Sequence, residues 1–170
     1  AQLERNGKPS LSLLESQSPK VTEPGTDLNA ESGFQHLQSM GFPVRGAAYI
    51  TSAISHESSW NGMREWGQVA GDGTSRNGGL ISWAQWHNNP ARLGAIERHF
   101  GRSIASITET EQLQYMQHEM RTRYPKAYRI FNNPNASSAD LRWAVSNYWG
   151  FDPKYTGNRW VDAEDLIKRS

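Results

Sequence analysis

Ile54-Ser55-His56-Glu57-Ser58-Ser59-Trp60 closes an apolar-periodic stretch with a carboxylate, and a glycine-rich polar segment follows it. Working back, Pro43 has a fixed φ and suits a first helical turn. From there Val44, Ala47, Ala48, Ile50, Thr51 and Ile54 recur at helical spacing. At 100° per residue, Glu57 falls about 20° around the axis from Ile50 and about 60° from Ile54. It therefore belongs on the rim of the buried stripe, and His56 points roughly the other way. Half-burial among apolar side chains disfavours the charged form of a carboxyl, so a raised pKa is expected there. A neutral carboxylic acid near pH 7 is what protonation of a glycosidic oxygen requires. The bland alternative is a wet glutamate at a helix end.

At 170 residues the chain is one domain with room for a real core. Residues 1–29, rich in Ser, Pro, Glu and Lys, read as a flexible or extended arm, and residues 30–170 as the folded domain. A net charge of +1, without a basic block, argues against a nucleic-acid partner. No apolar run is long enough for a membrane span. No signal peptide is visible, and a start at Ala1 is compatible with a processed piece of a longer protein. There are no cysteines, so neither disulfides nor thiolate chemistry enter.

Downstream of Glu57, Gly71-Asp72-Gly73 and Asn77-Gly78-Gly79 are turn signals, fitting a small β-hairpin or an irregular glycine-rich loop. The remainder is helical. A short helix is expected over 31–40, closed by Gly41. Asn89 and Pro90 open another that Gly101 stops. Thr108 with Glu111 forms a capping box ahead of Leu113, Met116 and Met120. Pro125 restarts the chain, Ser137 or Ser138 caps a helix ending near Gly150, and a last helix covers 159–168. The fold class expected is α+β, mostly α.

Among chemical constellations, metal and triad readings are weak. The five histidines form no His-Glu-x-x-His, and His118-Glu119 is the nearest approach. No Gly-x-Ser-x-Gly elbow is present. A carboxylate pair is better founded: a folded-back turn segment would bring Asp72 to face Glu57, although Gly-Asp-Gly is also a good turn in its own right. Glu65 reads as a surface group. Seven tryptophans and six tyrosines supply both core filling and aromatic walls for flat ligands.

Glu57-Ser58-Ser59-Trp60 resembles the Glu-Ser-Gly signature of tail-associated phage lysozymes, which open peptidoglycan from the virion. Asp72-Gly73-Thr74-Ser75, then Gly79-Leu80-Ile81-Ser82-Trp83-Ala84-Gln85-Trp86, is similar to that family's Gly-Asp-Gly and Gly-Ile-x-Gln-Trp segments. Arg92-Leu93 with Ala95-Ile96, and Gln112-Leu113 through Glu119-Met120, resemble its next two helices. The motifs keep their order from about Phe34 to Ile167. Ser59 stands where the family has Gly, no Asn-Pro follows, and Trp149-Gly150-Phe151-Asp152-Pro153 stands where many members carry Tyr-Glu-Arg-Pro.

The resemblance implies a lysozyme-like fold with a small hairpin beside a helical lobe, and a cleft between them. It implies an N-acetylmuramidase carried in a virion tail or ejection apparatus, acting on peptidoglycan glycan strands in the cell wall and bound to other virion proteins. Glu57 takes the general-acid role; Asp72 would stabilise the transition state or position water. Ser82 and Gln85 would hydrogen-bond an acetamido group or a nucleophilic water. Trp60, Trp83 and Trp86 are candidate sugar contacts, shared with the needs of the core. No metal or organic cofactor is required. A lytic transglycosylase using the same Glu57, and a non-catalytic virion structural protein, are the alternatives.

Overall fold

The computed structural model describes residues 27–63, 65–66, 76–85, 91–152, 154 and 157–170. Its centre is a helix, α2 (Val44–Ser58), entered through Pro43 and ended by Ser59 in the left-handed conformation. Every residue from Gly46 to Ile54 is buried. The apolar stripe is as expected, but the opposite face is covered too, because α7 (Asn158–Lys168) runs antiparallel along it. That second face is sealed by polar chemistry. Tyr49 Oη donates to Glu164 at 2.5 Å, Ser52 Oγ donates to the Arg159 carbonyl at 2.7 Å, and the Tyr49 and Trp160 rings stack. Serine and tyrosine can line a buried helix face only when their hydroxyls find such partners.

Around α2 pack α1 (Ala30–Ser39), α5 (Pro125–Phe131) and α6 (Ser138–Trp149). Asn29 caps α1 through a capping box with Ser32, and Ser137 caps α6 by accepting from the Asp140 N–H. Helix α3 (Ala91–Phe100) ends before Gly101 at φ +70°, and α4 (Glu109–Arg123) opens on the expected Thr108–Glu111 box. A 3₁₀ turn, Ile104–Ser106, joins them. Asn89 and Pro90 lie outside the described residues.

Three short strands make one antiparallel sheet in the order β1 (Glu65–Trp66), β2 (Arg76–Gly78), β3 (Trp83–Gln85). Gly78 pairs with Glu65 on one side and Trp83 on the other. The molecule is thus mostly α with one small sheet. No helix among the described residues is long and apolar enough to cross a membrane. The residues before 27 lie outside the described part. Asp27 docks on α4, its N–H on Glu109 and its carboxylate accepting from the Thr110 N–H.

Close helix approach depends on Gly46. A Cβ there would lie 1.9 Å from the Phe131 carbonyl oxygen at the end of α5. Gly46→Ala gains about 1 kcal/mol of helix propensity, but the backbone clash should outweigh it by about 1–3 kcal/mol. Urea unfolding of the variant should show a lower midpoint; a higher one would mean that α2 and α5 do not touch there.

Candidate functional site

Glu57 lies in the last turn of α2, where the helical lobe meets the sheet. Leu80 and Ile81 of the sheet turn share the core with Ile54 of the helix, and hydrogen bonds fix the junction. Ser58 Oγ donates to the Leu80 carbonyl at 2.9 Å, tying the helix end to the turn between β2 and β3. Gln112 of α4 lies between the same two segments. Its Oε1 accepts from the Leu80 N–H at 2.8 Å, and its Nε2 donates to the Gly62 carbonyl at 3.0 Å. Glu109 accepts from the Gly62 N–H at 2.7 Å. Gln112 Nε2 also donates to the Ile107 carbonyl at 2.8 Å, so this fully buried amide has three partners and fixes two loops at once.

The turn after Glu57 is sharp. Ser59 and Trp60 both adopt positive φ, 53° and 60°. This conformation is costly for residues with a Cβ. The payoff is the Trp60 ring, which folds back on Gly33 of α1 and donates from Nε1 to Ser55 Oγ at 3.1 Å.

The Glu57 side chain is 21 % exposed. Its described partner is a cation: Arg159 Nη2 donates to Glu57 Oε2 at 2.7 Å, and Nη1 donates to the Ala53 carbonyl at 3.2 Å. The guanidinium packs over the Phe151 ring, 4.8 Å from its centroid. A carboxylate in a helix's last turn meets the negative end of the helix dipole, and the guanidinium offsets that repulsion. His56 is exposed and bonds Asp162 of α7 at 2.7 Å.

The other expected site residues are distributed as follows. Ser82, at φ 64°, is half-buried in the turn held by Ser58 and Gln112. The Gln85 backbone pairs with Arg76 in the sheet. Its side chain, the Glu65 side chain, Asp72 and Trp86 lie outside the described residues. Two expectations are corrected. Trp60 is 5 % exposed and Trp83 is fully buried, so neither ring offers a face to a sugar. Trp60 fills the gap over Gly33, and Trp83 donates from Nε1 to Glu119 at 3.0 Å in the core. Asp152 is exposed and accepts from the Lys154 N–H, the arrangement of a local turn.

Two carboxylates of α4 support the junction from below, and their electrostatics oppose each other. At Glu119 burial works to raise the pKa. The Arg92 hydrogen bonds and charge, with the Tyr148 and Trp83 donors, outweigh it and hold the carboxyl below its ordinary value. At Glu109 burial pushes the carboxyl up to about 8; the Asp27 carboxylate adds to the rise and the Gly62 N–H works against it. A folded-state value raised above the unfolded one gives stability that is full below the unfolded value and lost as pH rises through the folded one. The stability gap between wild type and Glu109→Gln should therefore narrow as pH rises from about 4.5 to about 8. Melting temperatures of both proteins across that window check this; a widening gap contradicts it.

An open depression of about 610 Å³ lies elsewhere, between Arg76, Gly94, Glu97, Arg98, Gly101, Arg102 and Ser103. Arg76 bonds Glu97 at 2.6 Å and Arg102 bonds Glu111, so two of its three guanidinium groups already face a carboxylate. Sequence reasoning missed both Arg159 and the buried polar face of α4. Glu109, Gln112 and Glu119 follow at spacings of three and seven, which a helix places on one side. That spacing was the available signal. For Arg159 there was none, since its partner is 102 positions away.

Compared with family models, with curated proteins and with solved structures, the chain gives no match.

Proposed function

We propose that this chain is a peptidoglycan-cleaving glycosidase of the lysozyme type, an N-acetylmuramidase carried on a phage virion to open the cell wall. The observation that supports it best is the placement of Glu57. A partly shielded carboxyl ends the central helix where that helix is tied to a small antiparallel sheet through Ser58 and Leu80. In a lysozyme-like fold that junction borders the cleft. Glu57 protonates the leaving oxygen between N-acetylmuramic acid and N-acetylglucosamine as the muramyl C1–O bond breaks through an oxocarbenium-like transition state, and water supplies the new C1–O bond. Ser82 and Gln85 are the candidates for hydrogen-bonding the substrate, and Asp72 is the candidate second carboxyl. The order of the four sequence motifs supports the virion setting and the partnership with other virion proteins.

A second reading, lytic transglycosylation, needs only Glu57. The same carboxyl gives its proton to the leaving oxygen and then takes one from the muramyl 6-hydroxyl, which closes an anhydro ring. Zymography on purified cell wall tests the common reading: a clear zone is expected. A chain that binds wall but clears none would be a structural or ejection protein of the same architecture.

A further inference from the structure

We propose that Arg159 is a carboxylate-binding residue of this site, and that an acidic group on the wall polymer binds the guanidinium donors that Glu57 leaves open. The proposal rests on the glycosidase reading above and adds to it a charge requirement on the ligand.

The molecule contains two arginine–glutamate pairs that make the contrast. Arg92 grips Glu119 with two nitrogens, Nε at 2.9 Å and Nη2 at 2.8 Å, while Trp83 and Tyr148 fill the remaining acceptor sites. The Glu119 side chain is fully buried, so that pair is closed. Arg159 and Glu57 are joined through one nitrogen and one oxygen only. Glu57 Oε1 and Arg159 Nε have no hydrogen bond among the described residues. A guanidinium offers five N–H donors in a planar fork, and carboxylates favour the two-point grip. The Arg159 fork is nevertheless held in place. Nη1 donates to the Ala53 carbonyl, the guanidinium lies over Phe151, and the side chain is only 16 % exposed. A preordered, half-filled fork beside a candidate general acid is suited to a second carboxylate.

The ligand carboxylate takes the Arg159 N–H donors that Glu57 and the Ala53 carbonyl leave open. The other titratable groups at this face are His56, on the same helix, and Asp162 of α7; they bond each other and not Glu57. Peptidoglycan carries carboxylates from two sources, the lactyl group of peptide-free muramic acid and the peptide stems. Chitin, built of N-acetylglucosamine alone, carries none.

Calorimetric titration with three soluble glycans tests this. The probes are chitotetraose, a peptide-free tetrasaccharide of alternating N-acetylglucosamine and N-acetylmuramic acid, and that tetrasaccharide with peptide stems. The wild-type chain should prefer at least one carboxylate-bearing glycan over chitotetraose by about tenfold or more. Which of the two is preferred identifies the source. In Arg159→Met the preference should fall to about twofold or less, and Arg159→Lys should restore part of it. Circular dichroism verifies that both variants are folded. Equal preference in wild type and Arg159→Met overturns the proposal, as does absence of preference or of binding in the wild type. The readout needs no bond cleavage. Preference with no clear zone on cell wall would uphold the carboxylate site and refute the glycosidase.

Discussion

Glu57→Gln is expected to lower the rate of wall clearing by about a hundred- to ten-thousandfold, the range a positioned general acid contributes. The substitution keeps shape and volume and removes only the transferable proton. It should leave the fold intact for two reasons. A partly exposed ion pair contributes about 0–1 kcal/mol, and a glutamine oxygen can still accept from Arg159. Far-ultraviolet circular dichroism and the melting temperature should therefore match wild type closely. A variant that is folded and still clears wall would remove Glu57 from the chemistry. One that unfolds would mean that the pair with Arg159 holds α7 on α2.

The largest effect on stability is expected at Glu119. Glu119→Gln replaces one acceptor oxygen with an amide donor facing Arg92, Trp83 or Tyr148. Arg92 would then be left without its buried counter-charge, a loss of about 3–5 kcal/mol. Folded domains are stable by about 5–15 kcal/mol in total, so the variant should be near its unfolding limit. Exchanging both Arg92 and Glu119 for methionine should cost less than the two single exchanges added together, because no buried charge remains. Chemical denaturation of the two single variants and the double variant measures this. An additive double variant would mean that the two side chains act independently. The pH dependence has the opposite sign to that of Glu109. Because Glu119 is held below its ordinary value, its contribution is present above the unfolded value and lost as pH falls through the folded one.

Much of this architecture could be read from local pattern. The Thr108–Glu111 capping box, the glycines at 101 and 150 that close helices in positive φ, and the Pro43 entry to α2 are signals whose partners lie within a few residues. The depth at which α2 is buried was not legible. Periodicity reports which face is apolar, and Tyr49 and Ser52, which lie outside that stripe, are nevertheless buried. Their face is buried because α7, more than a hundred positions later, brings the Arg159 carbonyl and the Glu164 carboxylate to accept there. The same limit applies at the candidate site. The angular position of Glu57 followed from the helix repeat, whereas its guanidinium partner came from a segment with no motif. Tryptophans 60 and 83 show the converse. An aromatic residue beside a polar turn suits a sugar wall or a core plug equally well in sequence, and only the packing on Gly33 and Glu119 separates the two.

The most direct measurement is mass spectrometry of the fragments released from purified peptidoglycan by the wild-type chain and by folded Glu57→Gln. The wild-type digest is predicted to contain new muramic acid ends, reducing for hydrolysis or anhydro for transglycosylation, and the Glu57→Gln digest to lack them. A wild-type digest without new saccharide ends, or one that Glu57→Gln reproduces in full, would contradict glycosidic chemistry at Glu57.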